Sequence, residues 1–347
     1  IPPRKRGQVS APIMRLEARP AQIYVGVYDR LPHPSLGAVQ EFALDVGISA
    51  ARPVVLTDVV WRAFDQNDHV VFVRQRLGRA AMDELTQGQY GVAPDRGLAL
   101  RRCYFLEQGL GRLSRLSISV AGYDHETQAA VAAQLDAPLR YHEQHARLGL
   151  PFAGGAWWAI GGNDWTALHK ADPVSWPFAY DFVRLGPEGQ FFTGQGLRNE
   201  DHYSYGQTVV APASGKVVLA RGDMPDQQPG QPLDDALIAG DITRLAGNVV
   251  VIAHGHGEFS YLAHLQAGSA LVAAGDFVKR GQPVALVGNS GQSPGPHLHY
   301  HLQSGPNLFV DQGLPVLFSQ FSAAGDVVDQ ATIPPRMIVS PAKSARD

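Results

Sequence analysis

Apolar and polar residues alternate in short runs along most of this chain, and the runs predict strands rather than long helices. Ile23 to Tyr28 (IYVGVY) is the first such run. Phe42 to Ile48 (FALDVGI) follows with a period near two. Val54 to Trp61, Val70 to Arg74, Leu98 to Phe105 and Leu113 to Val120 continue the series, and the polar turn Asp65-Gln66-Asn67-Asp68 precedes the second of these four. Short strands with turn signals at this spacing predict an immunoglobulin-like β-sandwich over residues 21–150. Glu126 to Leu135 fits either a helical stretch or an edge loop. Residues 1–20 are rich in Pro and Arg and read as an extended lead-in.

The run Pro151 to Trp158 (PFAGGAWW) marks a change of domain, after which Gly and His become denser. Residues 151–331 read as a second, strand-containing domain, so the fold class expected for the whole chain is all-β. Thr208 to Val218 is strand-like and broken at its Ala-Pro-Ala-Ser-Gly turn, and Asn248 to His254 (NVVVIAH) is a second strand. Between them Arg221 to Gly247 is rich in Asp, Gln, Pro and Gly. A loop this long in a compact domain is usually functional, and we read it as a flap or rim beside a site. Its Arg221-Gly222-Asp223 triplet matches an adhesion tripeptide, but three residues match too cheaply to carry weight. Residues 332–347 form a Pro-containing tail.

Composition narrows the chemistry. Of 347 residues, 45% are hydrophobic and 18% charged, enough for packed cores. A net charge of -3 gives no basic excess, so nucleic acid is not an expected partner. Cys103 is the single cysteine, which excludes an internal disulfide and a Cys-rich metal site; a metal here would take His and carboxylate ligands. No apolar run reaches the ~18 residues of a membrane span. The chain shows no apolar signal segment and begins Ile1-Pro2-Pro3 without Met, as a truncated or a processed chain would; a removed signal peptide is the expectation.

The sharpest chemical signal is Gly295-Pro296-His297-Leu298-His299-Tyr300-His301. In a strand His297 and His299 would look into one space, about 6.5–7 Å apart. One could bind a metal while the other touches water or substrate. His301 shares that face, either supporting the site from behind or exposed. His264, in Tyr261-Leu262-Ala263-His264-Leu265, gains weight from this company. His169 and Asp181 complete the set. Asp181 is the single carboxylate in Phe178 to Val183 (FAYDFV), and an unpaired buried carboxylate costs several kcal/mol unless a cation or hydrogen bonds offset it. The bland alternative is an edge aspartate in water. His33, His69, His125, His142 and His145 are scattered and read as surface or satisfied core histidines.

Taken in order, these pieces resemble the lysostaphin-type family of zinc metallopeptidases. The resemblance runs from about His169 to Phe318. After His…Asp comes Gly206 to Val217 (Gly-x-x-Val-x-Ala-Pro-x-x-Gly-x-Val), then Gly247 to Gly255 (Gly-Asn-x-Val-x-Ile-x-His-Gly). Tyr261 to Leu265, Gly275 to Gln282 and Gly288 to His299 follow. The resemblance implies an antiparallel β-sheet of the duplicated-hybrid-motif type and a zinc site of His169, Asp181 and His299. It makes His264 and His297 the catalytic pair. One departure stands at the first two ligands, where eleven residues intervene instead of the common three. His202 is therefore a rival for the first position, with His254 and His256 behind it. The implied activity is cleavage of peptide bonds in bacterial peptidoglycan, outside the cytoplasm, in the periplasm or secreted. Two alternatives accompany it: a non-enzymatic regulator of cell-wall amidases, and a zinc peptidase acting on a non-wall peptide. The lead-in or the Arg221 to Gly247 loop is the expected inhibitory segment, if the groove is blocked within the chain.

Overall fold

A computed structural model describes residues 12–28, 39–78, 86, 88, 91–108, 111–161, 174–238 and 240–342. The side chains of residues 101–108 are outside that description, as is His169. The chain is nearly all β. Its contacts divide it into two units, one of residues 1–23, 43–104 and 110–140, the other of 24–42, 105–109 and 141–347.

The first unit rests on long antiparallel strands. Val54–Asp65 pairs with Leu113–Asp124 on one side and Val70–Leu77 on the other, and Leu113–Asp124 pairs with Ala130–Arg140. Glu126 to Leu135 thus divides between a turn and the start of a strand. The alternation seen in the sequence is the burial pattern: Val54, Leu56, Val59, Trp61 and Ala63 face inward, as do Leu116, Ile118 and Val120. Met14–Arg19, within the expected lead-in, pairs with the strand Val39–Ala50 along Ala50 to Asp45.

The second unit carries an 11-stranded sheet. At its centre the strands run Gly215–Arg221, Asn248–Gly255, Glu258–Leu265, Leu298–Gln303, Tyr180–Arg184 and Trp157–Gly161. Thr208–Val210 and Gly215–Arg221 are separate strands, broken at the expected turn. Part of the segment read as a tail, Ile338–Pro341, is a strand of this sheet, held between Trp157–Gly161 and Phe321–Ala323. Among the described residues no helix is long and apolar enough to cross a membrane.

Alternation gives the central strands two different faces. Val250, Ile252, Leu262, Leu298, Tyr300, Leu302, Phe182 and Trp157 pack into the main core. Each large apolar side chain buried this way contributes about 1.5–3 kcal/mol. The residues between them point the other way. Val249, Val251, Tyr261 and Ala263 lie in a second, smaller cluster, with Trp176 and Phe309 packed against it. Asp181, His299 and His301 belong to that second face by the same two-residue period.

Candidate active site

Strand register brings the expected residues together. Asp181 sits directly across from His299, and His299 directly across from Ala263. His264 comes next, and in a regular strand it would point to the opposite face from Ala263. It instead has φ +56°, a left-handed conformation uncommon for a residue with a Cβ. That turn brings its ring beside His297, with centroids 4.8 Å apart, and 5.7 Å from the ring of His299. Such local strain persists where surrounding structure holds it. Here the hold is Nδ1 of His264, which donates to the Ser290 carbonyl at 2.8 Å.

His297 is fixed the same way. Its Nδ1 donates to the Gly295 carbonyl at 2.8 Å, and its Nε2 lies 3.3 Å from Asp181 Oδ1. Both rings therefore keep Nδ1 protonated and leave Nε2 as the atom that can exchange a proton. Burial, then the neighbouring His297 and His299, hold His264 well below the usual imidazole range. Burial also opposes charge on His297, but Asp181 outweighs it and raises that ring.

Hydrogen bonding fixes the state of His299 from behind. The Gly305 carbonyl can only accept, so the Gln303 amide nitrogen faces it and Gln303 Oε1 faces His301. Oε1 also only accepts, so His301 Nε2 is the donor, at 2.8 Å. A neutral His301 then accepts at Nδ1 from His299 Nε2, 3.0 Å away. His299 Nδ1 is left as a lone pair, 3.2 Å from Asp181 Oδ1. A lone pair and a carboxylate oxygen repel at that distance unless a cation, a proton or a metal ion, lies between them.

These groups open on one cavity of about 800 Å³. Asp181, His264, His297 and His299 line it, together with Trp176. Trp176 stands edge-on to His299 with centroids 5.5 Å apart. Gly230 to Leu233, Ile238 and Leu245 line the cavity as well, and they belong to the loop between Arg221 and Gly247 anticipated as a flap or rim. Arg221 pins that flap by hydrogen bonds to Gly247 O and Thr243 O, and Arg244 reaches Asp223 at 3.2 Å. The Arg-Gly-Asp triplet is thus occupied in holding its own loop.

The rivals do different work. His202 Nε2 bonds the Gly196 carbonyl at 2.9 Å, and its ring packs on Phe192. His254 bonds Ser214 O and Ser260. His256 stacks on His145 at 4.2 Å. None of the three lines the cavity. His301 is buried rather than exposed. Sequence reasoning missed Trp176, Gln303 and the carbonyls of Ser290 and Gly295. Only Gln303 left a signal there, as the next step of the two-residue alternation through 297, 299 and 301. Among the described residues no three His, Cys, Asp or Glu surround one point as a complete ligand set. His169, the expected third donor, lies outside the described residues.

Residues 200–311 match Peptidase family M23. The chain carries an M23 domain. The peptidoglycan DD-endopeptidase ShyA of Vibrio cholerae is 49% identical over 57 residues, 16% of this chain and 13% of that protein. The murein hydrolase activator EnvC of Escherichia coli is 41% identical over 70 residues, 20% of this chain and 16% of that one. The chain thus spans less than a fifth of the length of either relative. Among solved structures, the catalytic domain of lysostaphin from Staphylococcus simulans is 22% identical, covers 35% of this chain and 86% of its own, and superposes with a TM-score of 0.23. The M23 match begins after Asp181 and includes His264, His297 and His299.

Proposed function

We propose that this chain is a zinc-dependent endopeptidase acting on peptide bonds of bacterial peptidoglycan, outside the cytoplasm. One observation carries the reading: Asp181 Oδ1 lies 3.2 Å from His299 Nδ1, the nitrogen that bears the lone pair when His301 is neutral. Two ligands bonded at ~2.0–2.1 Å to a tetrahedral zinc ion lie about 3.3 Å apart. The 3.2 Å separation fits that requirement. Asp181 and His299 would hold the metal, with His169 as the third ligand. When bound, zinc supplies Lewis-acid chemistry, acidifying water and polarising a carbonyl.

The remaining work falls to this chain's own side chains. Held neutral, His264 accepts a proton at Nε2 from the attacking water. His297 Nε2 lies on the same side and serves as the donor to the developing oxyanion or the leaving amine. Ser290 and Gly295, by fixing both Nδ1 atoms as donors, spare these rings any tautomer change during the reaction. The flap at Gly230 to Leu233 and Trp176 confine an extended peptide over the histidines. Such confinement aligns the reacting groups and limits competing water.

The similarity to an activator of murein hydrolases favours a second reading, a regulator without activity of its own. Against it stands the convergence of Asp181, His264, His297 and His299 on one cavity, which a purely regulatory surface has no need to keep. Incubating the zinc-loaded protein with purified peptidoglycan decides between them. Release of soluble fragments with new free amino groups supports the peptidase. No release, together with stimulation of an added amidase, supports the regulator. Cleavage of unrelated peptides but not of peptidoglycan would move the substrate outside the wall.

A further inference from the structure

The strand Leu298–Gln303 carries more polar groups on its buried face than a three-ligand site requires. His299, His301 and Gln303 are all buried, at 3%, 1% and 0% exposure. Buried polar side chains in a row must satisfy one another or lose stability. These do so as one directed chain, from the Gly305 carbonyl through Gln303 and His301 to His299. The carbonyl at the far end admits one orientation of the Gln303 amide. Each later link then has one donor and one acceptor, provided His301 is neutral. The chain ends by placing the lone pair of His299 on Nδ1, toward Asp181, rather than on Nε2.

We propose that His301 and Gln303 are positioning residues that set the tautomer and aim of His299 and thereby tune its affinity for the metal. The inference rests on the zinc site proposed above and adds two residues to it. A backbone carbonyl reached through two neutral side chains makes His299 more electron-rich without placing a second carboxylate beside the site. Tyr261 contributes shape rather than charge. Its ring stacks on His301 with centroids 4.9 Å apart and an interplanar angle of 19°, which keeps the imidazole in the plane the chain needs.

The test compares His301→Leu with His301→Gln in the full chain, reading zinc affinity by competition with a chromophoric chelator. Both variants lose the stacked ring. Only glutamine keeps a hydrogen-bond acceptor for His299 and a donor for Gln303. The leucine variant is expected to bind zinc ~10–100-fold more weakly, the usual cost of losing such a support. The glutamine variant is expected to recover most of that loss. Gln303→Met, which touches neither His299 nor the cavity, should weaken binding in the same direction by less. It keeps the test open if His301→Leu does not fold. Nitrogen NMR of the zinc-bound protein should show His299 protonated at Nε2 in the wild type, with that signal altered in Gln303→Met. Equal zinc affinity in wild type, His301→Leu and Gln303→Met overturns the relay and leaves the peptidase reading intact. Equal losses in the leucine and glutamine variants reduce His301 to packing and also overturn it. A wild-type protein that takes up no zinc removes the metal site and the relay together.

Discussion

Replacing Glu258 with glutamine should cost about 3 kcal/mol of stability at pH 7 and almost nothing near pH 2. Glu258 opens the strand Glu258–Leu265, which carries His264 near its end, and it is fully buried. One oxygen accepts the backbone N–H of His145 at 2.6 Å, the other that of Ala146 at 2.8 Å. His142 Nε2 lies 3.1 Å away and His145 Nδ1 3.6 Å away. The carboxylate therefore clasps the segment of residues 142–146 onto the sheet. Burial alone would raise the Glu258 pKa, but His142 and the two backbone donors outweigh it and pull it from 4.5 to about 2. At 1.36 kcal/mol per pKa unit, that depression is worth about 3 kcal/mol to the folded state. The sign follows from the direction: the stability is fully present above 4.5 and is lost as pH falls through about 2. Glutamine has the shape of the protonated acid, so it should behave at every pH as wild type does near pH 2. Urea unfolding followed by tryptophan fluorescence, at pH 7 and again near pH 2, measures both differences. Equal unfolding free energies at pH 7, or a gap that stays open near pH 2, would refute the reasoning.

Other perturbations separate binding from chemistry. His264→Ala should keep zinc and lose ~10²–10⁴-fold in turnover, as expected for a proton acceptor, while His299→Ala should lose both; equal zinc loss in the two would mean the roles are misassigned. Gly247 has φ +65°, and a Cβ there would collide with Ser290, whose carbonyl holds His264. Gly247→Ala should therefore lower kcat up to ~100-fold with zinc content unchanged, and an unaltered kcat would show that Ser290 does not aim the ring. Replacing Gly230–Leu233 by a shorter turn should raise KM on peptidoglycan, because these residues form a cavity wall. A rise in kcat without a change in KM would instead identify the flap as inhibitory.

The sequence conveyed local facts well and distant ones poorly. Alternation placed His297, His299 and His301 on one face, because a strand's period is a local property. The same rule predicted most of the long strands, and the Ala-Pro-Ala-Ser-Gly turn predicted the break inside Thr208 to Val218. It could not show that Asp181 pairs with His299 across 118 residues, since register between distant strands is set by the whole sheet. The ring of His264 reaches the cavity only because its φ is positive, which no periodicity encodes. His142 and His145 looked idle until Glu258, over a hundred residues away, gave them a partner. The Ile338–Pro341 strand was hidden by its prolines, yet it completes hydrogen bonds that Trp157 and Trp158 would otherwise leave open.

Zinc content tests the central claim most directly. Elemental analysis of the purified wild-type protein and of Asp181→Ala, after equilibration with zinc and removal of the excess, should give about one zinc per chain in the first and almost none in the second. Wild type without zinc, or Asp181→Ala with a full equivalent, would contradict the account.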